Sequence, residues 1–233
     1  MVLITRLVLF CLMANLWFPL YSQSTESDSR HWQISAGVQY DQSRNTFTYP
    51  APPASSFSFG GNFEYVIALP RIKMTYFVYL GFQQIRGEGY NVAYDNDYGL
   101  EETLRVDNLR AGPGFALTLN NKGWCHPLFG VQAFLGVPVN TEYGFHNARM
   151  DVQYDLPLFF SAEGGAGVYT GGHFFAGLEI DVTAKSLLRI KAALGDHYQY
   201  ASWELPSPFE GNEKARLVKG GYWQASFEVV HHL

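Results

Sequence analysis

The sequence predicts an all-β fold, an antiparallel up-and-down transmembrane β-barrel of eight strands, with ten as the alternative count. Apolar and polar residues alternate with a period of two along most of the chain, which is the period of a strand. Short and long connections alternate between these runs. Charged residues make up only 16% of the chain and the mean hydropathy is -0.08. A helical membrane protein would be more apolar, because each crossing needs about 20 consecutive apolar residues.

The N-terminal segment has the order of a secretory signal peptide. Arg6 precedes an apolar run at 7–20, and small polar residues follow it. A cation, a short apolar core and small residues are typical of such signals. Pro19 interrupts the run, which disfavours a permanent membrane anchor. We therefore predict a signal peptide at residues 1–22 and a β-barrel domain at 23–233.

The first three predicted strands cover residues 31–40, 56–69 and 72–83. In each of them one face is apolar or aromatic and the other is polar or glycine. Only Pro70-Arg71 separates the second run from the third, which predicts a two-residue hairpin. Such a hairpin makes Leu69 and Ile72 direct partners on one face. Both residues are apolar, so the predicted register is consistent.

The fourth run, at 104–119, contains a change of parity. Leu104 and Val106 are apolar on even positions, whereas the apolar residues from Leu109 onward stand on odd positions. This change predicts a β-bulge near Asp107-Asn108.

The remaining predicted strands cover 129–137, 156–168, 174–182 and 223–229, with a turn at Thr170-Gly171-Gly172. Residues 187–194 fit either a further strand or a short helix. A ninth strand would put the termini on opposite sides of the membrane, against the even count usual in bacterial barrels. We therefore predict that 187–194 extends a strand or forms a helical turn within a long loop.

Long polar loops are predicted after every second strand, at 41–55, 87–102, 140–153 and 184–215, and short turns lie between the other strands. This asymmetry is typical of bacterial outer-membrane barrels, with the long loops outside the cell.

The polar face of the runs indicates that the apolar face meets lipid. It is rich in Gly, Ser and Gln, unlike the surface of a soluble barrel or a secreted sandwich, which is the alternative. Lys73 and Arg110 are expected to neutralise part of the acidic charge inside. Aromatic side chains near strand ends, at Trp32, Tyr40, Trp124 and Trp223, fit interfacial girdles. The charged residues predicted to form a structural network in the lumen are Glu64, Lys73, Arg110, Glu163, Glu179, Asp181 and Glu228.

Several segments carry a family resemblance: the Ser22-Gln23 cleavage region, the Gly-rich run 161–168, the strand at 174–179 and the alternating C-terminal strand. In this pattern the chain resembles the PorT-like outer-membrane β-barrel proteins of Bacteroidetes type, which share the eight-stranded architecture of the OmpA membrane domain. The resemblance implies a role beside an outer-membrane secretion or assembly complex. Such barrels commonly end on an aromatic residue, whereas this chain ends His231-His232-Leu233.

An eight-stranded barrel has room inside only for side chains, so an open pore is not expected. The sequence predicts a non-enzymatic structural or accessory protein of the bacterial outer membrane. Its partners would be outer-membrane lipid and, through the long loops, other outer-membrane or periplasmic proteins. A narrow channel, an ion or proton path through the lumen charges, or a small-ligand-binding barrel is an alternative function.

A lipid-modifying enzyme is a further alternative. The nearest candidates for a nucleophile and a base are Asp196, His197, Ser202 and Glu204. Ser202 stands five residues after His197, which differs from the His-x-Ser arrangement of lipid A deacylase barrels. No catalytic residue is therefore assigned.

No cofactor, metal or nucleic-acid site is expected. The acidic segment 95–102 offers oxygen ligands for Ca²⁺ but lacks the spacing of an EF-hand, so a solvated loop is predicted. The net charge of -5 gives no reason to expect nucleic-acid binding. Cys125 is the only cysteine after the predicted signal peptide, which excludes an internal disulfide.

Overall fold

The structure is a computed structural model, and it describes residues 29–43, 55–90, 100–119, 123–147, 159–204 and 214–233. All regular structure in these residues is β-strand. No helix in this part of the chain is long and apolar enough to cross a membrane. The strands are β1 (Ser29–Ser43), β2 (Ser55–Ala68), β3 (Ile72–Tyr90), β4 (Leu100–Leu119), β5 (Cys125–Asn147), β6 (Phe159–Ala162), β7 (Gly164–Ala166), β8 (Tyr169–Thr183), β9 (Ser186–Trp203) and β10 (Lys214–His232).

The sheet closes on itself, since β10 pairs with both β9 and β1 and every pairing is antiparallel. Together with β8, the short strands β6 and β7 occupy one position in the barrel wall, between β5 and β9. β6 pairs with β5, β7 pairs with β9, and β8 pairs with both. The result is a closed barrel of eight wall positions, which confirms the predicted fold class and strand count.

The connections differ in length at the two ends of the barrel. One end, the short-turn end, holds the connections at 69–71, 120–124 and 184–185, together with the start of β1 and the end of β10. The other, the long-connection end, holds those at 44–54, 91–99, 148–158 and 204–213. The predicted alternation is confirmed as far as the connection at 148–158, although β3, β4 and β5 extend beyond their predicted ends.

The hairpin between β2 and β3 forms as predicted. The backbone N–H of Leu69 donates to the carbonyl of Ile72 at 2.9 Å. Ala68 and Lys73 pair next in the ladder. Pro70 and Arg71, the two residues between Leu69 and Ile72, are therefore enough to reverse the chain.

The bulge forms at the predicted level, but the extra residue belongs to the neighbouring strand. The register between β4 and β5 shifts between Asp107, which pairs with Asn140, and Asn108, which pairs with Pro138. Val139 of β5 is therefore the additional residue. Leu104 and Val106 therefore face the lumen, as the other even-numbered residues of β4 do. They are 4% and 0% exposed, because the lumen is apolar at that level.

The predicted division of the chain into strands and turns is wrong in two respects after the fifth strand. Thr170-Gly171-Gly172 lies inside β8 and does not form a turn. A Cβ on Gly171 would lie 2.5 Å from the ring of Phe134, so this glycine makes room for an aromatic side chain. Residues 187–194 belong to β9, a full strand that starts directly after the turn at 184–185. The predicted long loop at 184–215 is therefore mostly strand.

The wall position formed by β6, β7 and β8 separates from β5 over residues 163–168. β5 pairs with β6 at Tyr143 and with β8 at Gly136, but no ladder joins residues 137–142 to the segment between. β5 carries Pro138, which has no N–H, and the bulge at Val139, so it is a poor partner there. The Tyr143 hydroxyl instead donates to the carbonyl of Gly165 at 3.1 Å.

The barrel is apolar outside and polar inside. Outward-facing Phe59, Val78 and Leu80 are 54%, 58% and 67% exposed, whereas inward-facing Gln33 and Glu64 are fully buried. Such an inverted arrangement fits a bilayer, where the apolar band meets hydrocarbon. Aromatic side chains with large exposed surface lie toward the two edges of this band, at Trp32, Tyr40, Trp124 and Trp223.

We expect Leu80→Arg, in the middle of β3, to lower the free energy of unfolding in lipid vesicles by about 2–4 kcal/mol, because the arginine would lie in hydrocarbon. Val182→Arg is the control, since Val182 is also exposed but lies beside the turn at 184–185. Its expected loss is about 0–1 kcal/mol. Urea titrations of both variants measure the difference. Equal losses would contradict the assigned membrane band.

Candidate functional site

A network of ion pairs crosses the half of the lumen nearer the short-turn end. Its centre is Arg189 on β9, whose Nη1 lies 2.7 Å from Oε1 of Glu64 and 3.1 Å from Oε2 of Glu228. Its Nη2 lies 2.8 Å from Oε1 of Glu179. These four side chains are at most 4% exposed. One guanidinium therefore links β9 to β2, β8 and β10.

Two lysines complete the network. Lys73 on β3 donates to Glu179, and Lys191 on β9 donates to Glu228. Gln33 adds a neutral hydrogen bond to Glu64. Three cations thus match three carboxylates, so that no buried charge of the network lacks an opposite charge. This balance matters because an unpaired ion in a low-dielectric interior costs several kcal/mol.

A second polar cluster surrounds Arg110 on β4, nearer the long-connection end. Nη1 of Arg110 lies 3.7 Å from Oδ2 of Asp41. The same oxygen of Asp41 accepts hydrogen bonds from Ser56 at 2.8 Å and from Gln83 at 3.1 Å. The guanidinium lies 4.0 Å from the ring centroid of Phe134, a cation–π contact. One carboxylate and two aromatic faces therefore stabilise Arg110, whose Nε and Nη1 have no hydrogen-bond partner among the described residues.

Tyrosine and histidine rings enclose this second cluster. The Tyr169 hydroxyl donates to Gln83, which also binds Asp41. The Tyr222 hydroxyl lies 2.9 Å from Nδ1 of His173. The ring of His197 is 5.4 Å from the rings of both Tyr169 and Tyr222. These groups connect strands on opposite sides of the lumen.

Between the two polar clusters the lumen contains apolar side chains. Phe175 contacts both clusters, since its ring lies 5.0 Å from Nζ of Lys191 and 6.0 Å from the ring of His173. A Cβ on Gly130 would come within 2.2 Å of the Phe175 ring, so a glycine in the wall makes room for it. The buried members of this apolar cluster are Phe77, Ala116, Leu128, Phe175 and Ala193.

Five of the seven residues predicted for the lumen lie in the two clusters, although Arg110 pairs with Asp41 and not with a glutamate. Asp181 is 53% exposed at the mouth, where it lies 3.1 Å from His126. Glu163 is exposed on the wall between β6 and β7. The strand is interrupted at this residue, so the alternation that predicts an inward side chain does not continue through it.

The centre of the network is not among the residues predicted from the sequence. Arg189 and Lys191 lie in the segment predicted as part of a loop, and the structure places both of them inside the barrel. The alternation of Leu188 and Ile190 with Arg189 and Lys191 is the signal that would have identified a strand here. Asp41 is missed because it stands at the boundary of a predicted strand and a predicted loop.

The structure does not bring the four candidate catalytic residues together. His197 is 5% exposed and faces the lumen. Asp196 precedes it on the same strand and therefore faces outward, as does Ser202. Glu204 is exposed beyond the end of β9. The acidic residues 95–97 and the predicted signal peptide lie outside the described residues.

No family model matches the chain, and no curated protein matches it. Solved structures do. OprG of Pseudomonas aeruginosa has a TM-score of 0.51 at 11% identity, over 87% of this chain and 96% of that one. A major outer-membrane protein of Thermus thermophilus has a TM-score of 0.41 at 11% identity, over 87% and 99% of the two chains. AlkL has a TM-score of 0.45 at 10% identity, over 91% and 94%.

The chain has the fold of an outer-membrane β-barrel. The fold agrees with the inverted distribution of polar and apolar residues, and the protein is assigned to the bacterial outer membrane. By the usual topology of such barrels, the short-turn end is periplasmic and the long-connection end is extracellular. The ion network around Arg189 is then the periplasmic cluster of the lumen, and Arg110 belongs to the extracellular one.

We expect Arg189→Met to lower the free energy of unfolding by about 3–5 kcal/mol, because it leaves buried carboxylates without their main partner. Arg105→Met is the control. Arg105 pairs with Asp107 and Glu142 on the outer surface and is 40% exposed, so its expected loss is much smaller, because solvent screens these ion pairs. Urea titration in lipid vesicles measures both values. A loss for Arg189→Met as small as that of the control would contradict a structural role of the network.

Proposed function

We propose that the protein is a non-enzymatic structural or accessory component of the outer membrane, and that its extracellular connections contact a partner protein. The observation that carries this proposal is the filled lumen. The Arg189 network, the apolar cluster around Phe175 and the Arg110 cluster succeed one another along the barrel axis. A solute that crosses the lumen would have to displace paired charges or packed rings.

The closed lumen leaves the ends of the barrel as the places where a partner would bind. The sequence is much longer between strands at the extracellular end than at the periplasmic end. Loops that a rigid scaffold positions commonly carry binding residues. The resemblance to PorT-like proteins suggests that the partner belongs to an outer-membrane secretion or assembly complex.

The positions of the candidate catalytic residues also favour a non-enzymatic function. A nucleophile and its base must lie within hydrogen-bonding distance of each other. His197 faces the lumen, whereas Asp196 and Ser202 face the outside of the same wall. The side chains that the lipid-modifying alternative requires therefore lie on opposite sides of the sheet.

The filled lumen predicts that the purified protein does not conduct ions. In planar bilayers, at millivolt potentials and molar salt, we expect no discrete current steps above those of the bare membrane. An open porin in the same bilayers controls for insertion and detection. Reproducible steps from the wild-type protein would favour the narrow-channel alternative.

A partner bound by the extracellular connections should be lost when one of those connections is replaced. We expect chemical cross-linking in intact cells, followed by purification, to recover a partner with the wild-type protein but not after residues 91–99 are replaced by a Gly-Ser linker of equal length. Replacement of residues 120–122 at the periplasmic end is the matched control and should leave the partner bound. Loss of the partner only in this control would contradict an extracellular contact.

A further inference from the structure

The C-terminal His-His-Leu sequence meets the start of β1 at the periplasmic rim. His232 pairs with Gln33 in the ladder that closes the barrel. Its backbone N–H donates to the carbonyl of Lys185 at 2.9 Å, and the N–H of Leu233 donates to the carbonyl of Trp32 at 3.0 Å. The backbone at the end of the chain is therefore held on both sides, which gives the His232 side chain a defined direction.

The imidazole rings of His232 and His31 lie together at the closing seam, where β10 pairs with β1. Both side chains are on the lumen face and half-buried, whereas His231 is exposed on the outer face and lies 3.1 Å from the Ser186 hydroxyl. The ring centroids of His31 and His232 are 5.0 Å apart, with an angle of 67° between the ring planes. The two rings come from opposite ends of the sequence, and only closure of the barrel places them side by side.

Each of these rings has one nitrogen that the rest of the described chain leaves without a hydrogen bond. These atoms are Nε2 of His31 and Nδ1 of His232, and both are shielded from solvent. A neutral imidazole presents a lone pair on its unprotonated nitrogen, which makes it a metal ligand. A buried polar atom without a partner is unfavourable, so a ligand that both nitrogens can bind would be stabilised here.

The distance between the rings fits a shared metal ion. Metal–nitrogen bonds of about 2.1 Å that meet near the tetrahedral angle put the centres of two imidazoles about 5 Å apart. Lys73 and Glu179 are the charged groups that face both the seam and the network, and they neutralise each other as an ion pair. Glu179 therefore offsets part of the positive charge that Lys73 brings to the rim.

We propose that His31 and His232 form a binding site for a late first-row divalent metal ion, such as Zn²⁺ or Cu²⁺, at the periplasmic end of the closing seam. Imidazole suits these ions, and carboxylate-preferring ions such as Mg²⁺ and Ca²⁺ are disfavoured. No group of three or more His, Cys, Asp or Glu in the described residues is arranged to hold a metal. Water at the half-exposed mouth would therefore complete the coordination, and the ion would link the first strand to the last.

Titration calorimetry of the full-length protein in detergent, treated with chelator and then titrated with ZnCl₂, tests the site. We expect one ion per chain for the wild type and an affinity at least tenfold lower for His31→Gln and for His232→Gln. His231→Gln is the matched control, because it removes the adjacent imidazole on the outer face, and its affinity should stay within twofold of the wild type. An equal loss for His231→Gln, or no loss for the two seam variants, would overturn the proposal.

Electron paramagnetic resonance of the Cu²⁺-loaded wild-type protein tests the same site without a substitution. We expect the spectrum to show two nitrogen ligands, and a single one after His232→Gln if that variant folds. A wild-type spectrum with one nitrogen ligand or none would overturn the proposal.

Zn²⁺ should also raise the melting temperature of the wild type but not that of the double variant His31→Gln/His232→Gln, because an ion that binds only the folded seam stabilises it.

Discussion

Hydrocarbon offers no hydrogen bonds to a polypeptide, so each backbone N–H and C=O of a membrane-spanning segment must be bonded within the protein. The rest of the structure depends on this constraint. A sheet satisfies it only when its first and last strands pair, as β1 and β10 do here along eleven residue pairs, from Gln33–His232 to Ser43–Tyr222. Within the described residues, the ladder that joins β5 to β6 and β8 is interrupted at residues 137–142, toward the extracellular end, beside the exposed polar residues Asn140 and Glu142.

Closure leaves the lumen as a narrow interior that side chains must fill. Most polar residues of the strands face this interior, because the outward face has to be apolar and neighbouring residues alternate between the faces. The polar groups inside must therefore find partners among themselves. The Arg189 network does so from several strands, whereas the Arg110 cluster leaves Nε of Arg110 and Oδ1 of Asp41 without a hydrogen bond within the described residues. Wall glycines such as Gly130 provide space for the rings between the two clusters. Packing and charge pairing in the lumen are thus two consequences of the same closure.

The same geometry separates stability from function. A filled, paired interior makes the barrel a rigid scaffold, and the groups available for recognition lie at its two ends. At the extracellular end these are the long connections between strands. At the periplasmic end the closing seam brings the imidazole of His31 beside that of His232.

The period-two pattern by itself determined the barrel class, the hairpin at Pro70-Arg71 and the inward direction of Glu64, since each depends on local alternation or turn length. The total of eight agrees although the assignment differs, because the predicted runs at 156–168 and 174–182 share one position in the wall and β9 supplies the other. Only the tertiary structure decided which residues meet. Arg189 reaches Glu64 across the lumen. The bulge lies at Val139 of β5, although the change in the alternation of apolar residues appears in the sequence of β4. Gly171 looks like a turn residue but accommodates the ring of Phe134. These outcomes depend on register and on the space between strands, which a single strand's sequence does not contain.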